Sequence, residues 1–145
     1  MDLYHRVARK PFAMEFLVVM GLLLPISLLV AGSPLTISVP IDSDGVQRAM
    51  VEVDSFTFTP HHLVVIAGQP VELTFKSVTW VVPHNVIIDN PQSGLHIREE
   101  IPAGESRMIT FTPTIPGSFA IYCDKKLPFM RSHREKGQEG LLEVR

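Results

Sequence analysis

The strongest constraint in this chain is a series of short alternating runs separated by turns, from Met50 to the C-terminus. "MVEVDSFTF" alternates from Met50 to Phe58. "LVVIA" follows the turn "TPHH", and "VELTF" puts Val71, Leu73 and Phe75 on one face. "TWVVPHNVIID" is β-rich and broken at Pro83. "RMITFTP", "SFAIYC" and "GLLEV" come next, set apart by "NPQSG", "EIPAGES" and "TIPG". Side chains alternate across a strand, so each run carries one face for a core and one for water. No segment after residue 47 sustains a period near 3.6. About seven or eight strands with turns every 8–12 residues predict an all-β, antiparallel two-sheet sandwich. Val51, Val53, Phe56, Phe58, Leu73, Phe75, Phe111, Phe119, Ile121 and Leu142 are core candidates. Trp80 is expected to pack inside, near His84.

The first part of the chain has another character. Arg6, Arg9 and Lys10 precede "FLVVMGLLLPISLLVAG", almost wholly apolar from Phe16. A basic stretch followed by an apolar one is the layout of an export signal. The run from Phe16 to Val30 is short for a spanning helix, which needs roughly 17–25 residues. Residues 1–31 are therefore read as a signal peptide or an uncleaved signal anchor, with membrane contact only through residues 14–31 in the second case. Residues 32–47 are rich in Ser, Pro, Asp and Gly and read as a flexible lead-in. One domain is expected over residues 48–145. Its location would be periplasmic or otherwise extracytoplasmic.

A single cysteine, Cys123, ends the run "SFAIYC". One cysteine cannot close an internal disulfide, so in an exported protein it is a buried packing residue, a link to another chain, or a working thiol. His133 and Gln138 lie downstream, and His84 lies upstream after Pro83 and before Asn85. A thiolate with two imidazoles is a strong donor set for copper and usable for zinc. A His₂Cys plane with a weak axial Met, Gln or backbone oxygen is the blue-copper arrangement. Gln138 is the preferred axial candidate, with Met130 as rival.

"PHNVIID", "SFAIYC" and the segment from His133 through "QEGLLEV" resemble the cupredoxin (plastocyanin-like blue copper) family, as does the opening "FTFTP…AGQPVELTF". The resemblance covers about Val51 to Val144. It implies a Greek-key sandwich holding one copper ion, with His84, Cys123 and His133 as ligands. It implies for Asn85 a hydrogen-bonding role that steadies the ligand loops. Two features depart from the family pattern. Nine residues separate Cys123 from His133, more than in the familiar loops, which predicts a less constrained second histidine. The usual axial methionine is replaced by Gln138.

The net charge of −2 gives no footprint for nucleic acid. Basic residues gather in the segment after Cys123, namely Lys125, Lys126, Arg131, Arg134 and Lys136. They would steer a redox partner protein, free or membrane-bound, that is acidic at its docking face. "LPFM", Leu127 to Met130, either forms a docking patch or tucks inward over the site. His61, His62 and His96 read as surface residues. No Ser/His/Asp arrangement stands out, so no enzyme activity is expected. The leading function is an exported one-electron copper carrier. The alternatives are a copper-binding or copper-delivery protein and a metal-free interaction domain.

Overall fold

The alternating runs become ten strands among residues 35–145, the part described by the computed structural model. The signal or anchor expected at 1–31 lies outside the described residues. The strands are β1 (Thr36–Ser38), β2 (Gln47–Asp54), β3 (Thr57–Thr59), β4 (His62–Val65), β5 (Val71–Ser77), β6 (His84–Asn90), β7 (Leu95–Ile101), β8 (Ser106–Phe111), β9 (Gly117–Tyr122) and β10 (Glu139–Val144). They form one sheet in the order β1-β4-β10-β9-β6-β7 and a second in the order β3-β2-β5-β8. No described helix is long and apolar enough to cross a membrane.

The β-sandwich predicted from alternation is present, but its sheets are mixed. β1 pairs parallel with β4, β4 with β10, and β2 with β5. The remaining ladders are antiparallel. The parallel pairs arise because strands consecutive in sequence pass from one sheet to the other, so spatial neighbours need not be hairpin partners.

Between the sheets lie Val51, Val53, Phe58, Leu73, Phe75, Ile121 and Leu142, all buried. Phe58 meets Phe75 edge to face, with ring centroids 6.1 Å apart, a favoured aromatic geometry. Phe111 and Phe119 pack against this core while only partly buried. β7 is absent from the alternation reading because four of its seven residues, His96, Arg98, Glu99 and Glu100, are polar. Leu95, Ile97 and Ile101 nevertheless face inward. β1 and the buried Val39 lie in the stretch read as a lead-in, and pairing with β4 ties them to the sheet. "MVEVDSFTF" is a hairpin and not one strand: Asp54 pairs with Thr57 across Ser55 and Phe56. Phe56 takes a left-handed φ of 73° and is half-buried. Trp80, expected inside, is 92% exposed.

Three chain ends meet at one pole of the larger sheet. Tyr122 at the end of β9 stands opposite Glu139 at the start of β10 and Ile87 of β6. Cys123, Gln138 and His84 thereby fall together. Gly140 makes part of this closeness possible, because a Cβ there would sit 2.7 Å from the His61 carbonyl oxygen. Gly140→Ala is expected to lower stability by about 1–3 kcal/mol, measured by urea denaturation; an unchanged midpoint would refute the close-packing account.

Candidate metal centre

His84 is fully buried at the first position of β6. Pro83 before it has no N–H to donate, which suits the place where a ladder begins. Two contacts bracket the ring. Thr79 donates its hydroxyl to the Val82 carbonyl at 2.7 Å. Its oxygen lies 3.0 Å from the Ser77 hydroxyl and 3.3 Å from His84 Nε2. Nδ1 points at Gln138 Oε1, 2.9 Å away. Gln138 is fully buried and spends its Nε2 on the Asp54 carbonyl at 3.2 Å, so oxygen is the end it offers to His84.

That oxygen accepts a proton carried on Nδ1 of the metal-free ring. Burial pushes the His84 pKa down, against the hydrogen bond that the ring donates to Gln138. With the ring neutral and its proton on Nε2 instead, Nδ1 and Oε1 would both be free to serve a cation.

Cys123 follows β9 directly and is fully buried. Its Sγ accepts the Asn85 amide N–H at 3.4 Å and lies 3.4 Å from His133 Nδ1. Burial raises the thiol's pKa, and the amides of Asn85 and Lys125 oppose that rise. A bound metal would displace the thiol proton, because the thiolate is the ligand form. Asn85 also pairs twice with Asp124: its Nδ2 donates to Oδ1 at 2.7 Å, and its Oδ1 accepts the Asp124 amide at 3.1 Å. Arg98 donates to the other Asp124 oxygen at 2.9 Å. Burial alone would raise the Asp124 pKa, but the bonds from Asn85 and Arg98 outweigh it and the pKa is lowered. Together these contacts lock the start of β6 to the end of β9.

The long segment after Cys123 closes on itself at its base. The His133 amide donates to Lys125 O at 2.8 Å and the Arg134 amide to Cys123 O at 2.8 Å. The Gln138 amide donates to His133 O at 2.9 Å, and the Cys123 amide to Gln138 O at 3.2 Å. A 3₁₀ turn at Arg134–Lys136 and Gly137, at a φ of 107° that favours glycine, bring the chain back to Gln138. Arg134 grips Glu139 with two bonds of 2.8 and 2.9 Å and lies 4.1 Å over the Tyr122 ring. His133 is therefore held, contrary to the looseness that nine intervening residues suggested. Its ring is 5.2 Å from that of His84 and meets Phe56 edge-on at 5.0 Å. Burial, followed by the charges of His84 and Lys136, lowers its pKa.

His Nδ1/Nε2 and Cys Sγ atoms of His84, Cys123 and His133 lie within 4.8 Å of one another. Two neutral imidazoles, a thiol and a spare amide oxygen form a site fit for a single copper ion. Met130, the rival axial candidate, is half-exposed on the excursion. Leu127 and Phe129 are exposed too, so "LPFM" does not cover the site. A groove of about 200 Å³, lined by Val81, Val82, Pro83, Lys125, Lys126, Leu127 and His133, reaches the His133 ring from outside. His62 is bound to Thr36 and Glu143, and His96 to Asp89 on the surface. Sequence reasoning missed Thr79, Asp124 and the place of Phe56 beside His133. Thr79 carried no signal, whereas Asp124, next to the cysteine, could have been matched to Asn85.

Comparison with known proteins agrees with this geometry. The model of the cupredoxin-like domain matches residues 26–137. The metal-binding domain of the Cu(I)-exporting P-type ATPase CopA of Streptococcus pneumoniae, solved with Cu(I), is 21% identical, with a TM-score of 0.57 over 79% of this chain and 99% of that one. Dithionite-reduced auracyanin from Roseiflexus castenholzii is 19% identical, with a TM-score of 0.54 over 68% of this chain and 96% of the other. Auracyanin B is 22% identical, with a TM-score of 0.54 over 74% and 94%. No curated protein sequence matches the chain. At these identities the structural likeness speaks for the fold, while the family match extends over most of the sequence: the chain belongs to the cupredoxin-like domain family.

Proposed function

We propose that the protein is an exported one-electron carrier, with one copper ion held by His84, Cys123 and His133 and Gln138 as the axial oxygen donor. The observation that carries this reading is the buried cluster of His84, Cys123 and His133, whose ligand atoms lie within 4.8 Å of one another, with Gln138 Oε1 2.9 Å from His84 Nδ1. Bound copper would supply a reversible one-electron couple. The chain's own residues supply orientation. Thr79 meets the far nitrogen of His84 and steadies the ring, and Asn85 and Asp124 hold the cysteine end of β9 against β6. The backbone bonds at the loop base fix His133. A site held this firmly changes little between oxidation states, which favours fast transfer. The groove beside His133 gives a redox partner its nearest approach. A basic and then apolar N-terminus supports a location outside the cytoplasm, in the periplasm or its equivalent.

Copper delivery is the second reading. The likeness to the metal-binding domain of a Cu(I) exporter supports it, while the closed loop base holds His133 against the ready metal exchange that delivery requires. We read the chain as a carrier and not an enzyme.

Cu(II) added to the purified protein is expected to produce a visible thiolate-to-copper charge-transfer band, and Cys123→Ser to abolish it. No band, or a band that survives the substitution, refutes the assignment. Gln138→Met should favour Cu(I), because thioether sulfur is the softer donor. A rise of about 60–120 mV in reduction potential is expected, one to two decades at about 59 mV each for one electron. Protein-film voltammetry measures it, and an unshifted potential removes Gln138 from the axial position.

A further inference from the structure

The metal pole carries an apolar crest that the copper chemistry does not use. Trp80 and Val81, between β5 and β6, are 92% and 86% exposed. Leu127, Phe129 and Met130, on the excursion after Cys123, are 66%, 109% and 51% exposed. Val81 and Leu127 line the same groove, so the two loops are neighbours. Phe129 holds a left-handed φ of 63°, an unfavourable backbone for a bulky residue, and its ring stands clear in solvent. Large contiguous apolar patches on soluble domains mark places where something docks.

Two further observations indicate what docks. The crest has a basic rim: Lys126 is exposed and makes no ion pair among the described residues, and the exposed Arg131 donates to a backbone carbonyl, that of Glu135. The second is the direction of β1. It runs parallel to β4 and β10, and β10 starts at the metal pole. The carbonyl of Leu35 receives the amides of His61 and His62, at the head of β4. The described chain therefore enters the domain at the end of the sheet that bears the site.

We propose that this pole seats on an anionic lipid surface, with Trp80, Leu127, Phe129 and Met130 entering the boundary between headgroups and acyl chains and Lys126 and Arg131 meeting the phosphates. Tryptophan and other aromatic rings favour that boundary. Basic side chains next to it are drawn to anionic lipid. A protein interface asks for a surface with packed, complementary relief, whereas these side chains project singly from two loop tips, a form suited to a soft, fluid partner. Lys125 and Arg134 of the same loop are paired with Glu100 and Glu139, and Glu135 lies within the field of Lys126 and Arg131, so lipid phosphate would add to the counter-charge at the two rim residues. His133, which shares the groove with Leu127, faces the same way, so the electron partner would be one embedded in the membrane. The seating itself does not depend on the copper reading.

Trp80 is the only tryptophan in the chain, so its fluorescence reports on this crest alone. The full-length, copper-free protein is mixed with vesicles of phosphatidylcholine, with or without phosphatidylglycerol. On the anionic vesicles Trp80 emission is expected to shift to the blue. Lipids brominated high on the acyl chain should quench it about twofold, consistent with burial of about 5–10 Å. Leu127→Ser with Phe129→Ser, and separately Lys126→Glu with Arg131→Glu, should each relieve the quenching while far-ultraviolet circular dichroism is unchanged. Trp80 that stays open to aqueous iodide on anionic vesicles overturns the proposal and leaves the crest to a protein partner. Quenching that persists undiminished in both double variants overturns it equally, because the N-terminal run alone would then explain it.

Discussion

Two backbone hydrogen bonds, from the Arg134 amide to Cys123 O and from the His133 amide to Lys125 O, determine what the rest of the site can do. They close the base of a loop whose length would otherwise leave His133 free. Once the base is shut, the distance along the chain between the cysteine and the histidine no longer sets their distance in space. The third and fourth bonds, through Gln138, carry the closure into β10. A net hydrogen bond contributes about 1 kcal/mol. Four in one small region stabilise the arrangement by less than the core does, but they decide its geometry.

The core acts on the same pole from below. β6, β9 and β10 are neighbours in one sheet, and their inward residues, including Val86, Ile88, Ile121 and Leu142, are buried together. None of these strands can slide without turning a whole apolar face to water. The donors at the strand ends inherit that rigidity. Between them lie a ring nitrogen of His84 and an oxygen of Gln138, 2.9 Å apart. A single proton joins them in the metal-free chain, and a cation at the site would take that proton's place.

Much of this was legible in the sequence. Alternation found the sandwich, and donor chemistry together with the cupredoxin resemblance singled out His84, Cys123, His133 and Gln138, which the fold brings together. Other features were hidden for physical reasons. β7 was missed because its outward residues are nearly all charged, and period-two reading needs some contrast in both faces. Phe56 was assigned to the core as part of an alternating run, and Trp80 on hydrophobicity. Phe56 lies in a turn beside His133, and Trp80 stands in solvent. Thr79 could not be read at all, since its importance depends on a contact with the His84 ring that only the fold creates. Asn85 was placed beside the site by resemblance, and its double bond to Asp124 became visible only in three dimensions.

The closed loop base also bears on how such a chain can change over generations. Residues 126–132 hang from a junction that is complete without them. Substitution, lengthening or exchange of that tip alters what the surface meets while the donors below keep their places. A length difference between two such loops is then no measure of difference at the metal. The tip behaves as an exchangeable cassette, and selection can retune where the protein goes without reopening the question of what it carries.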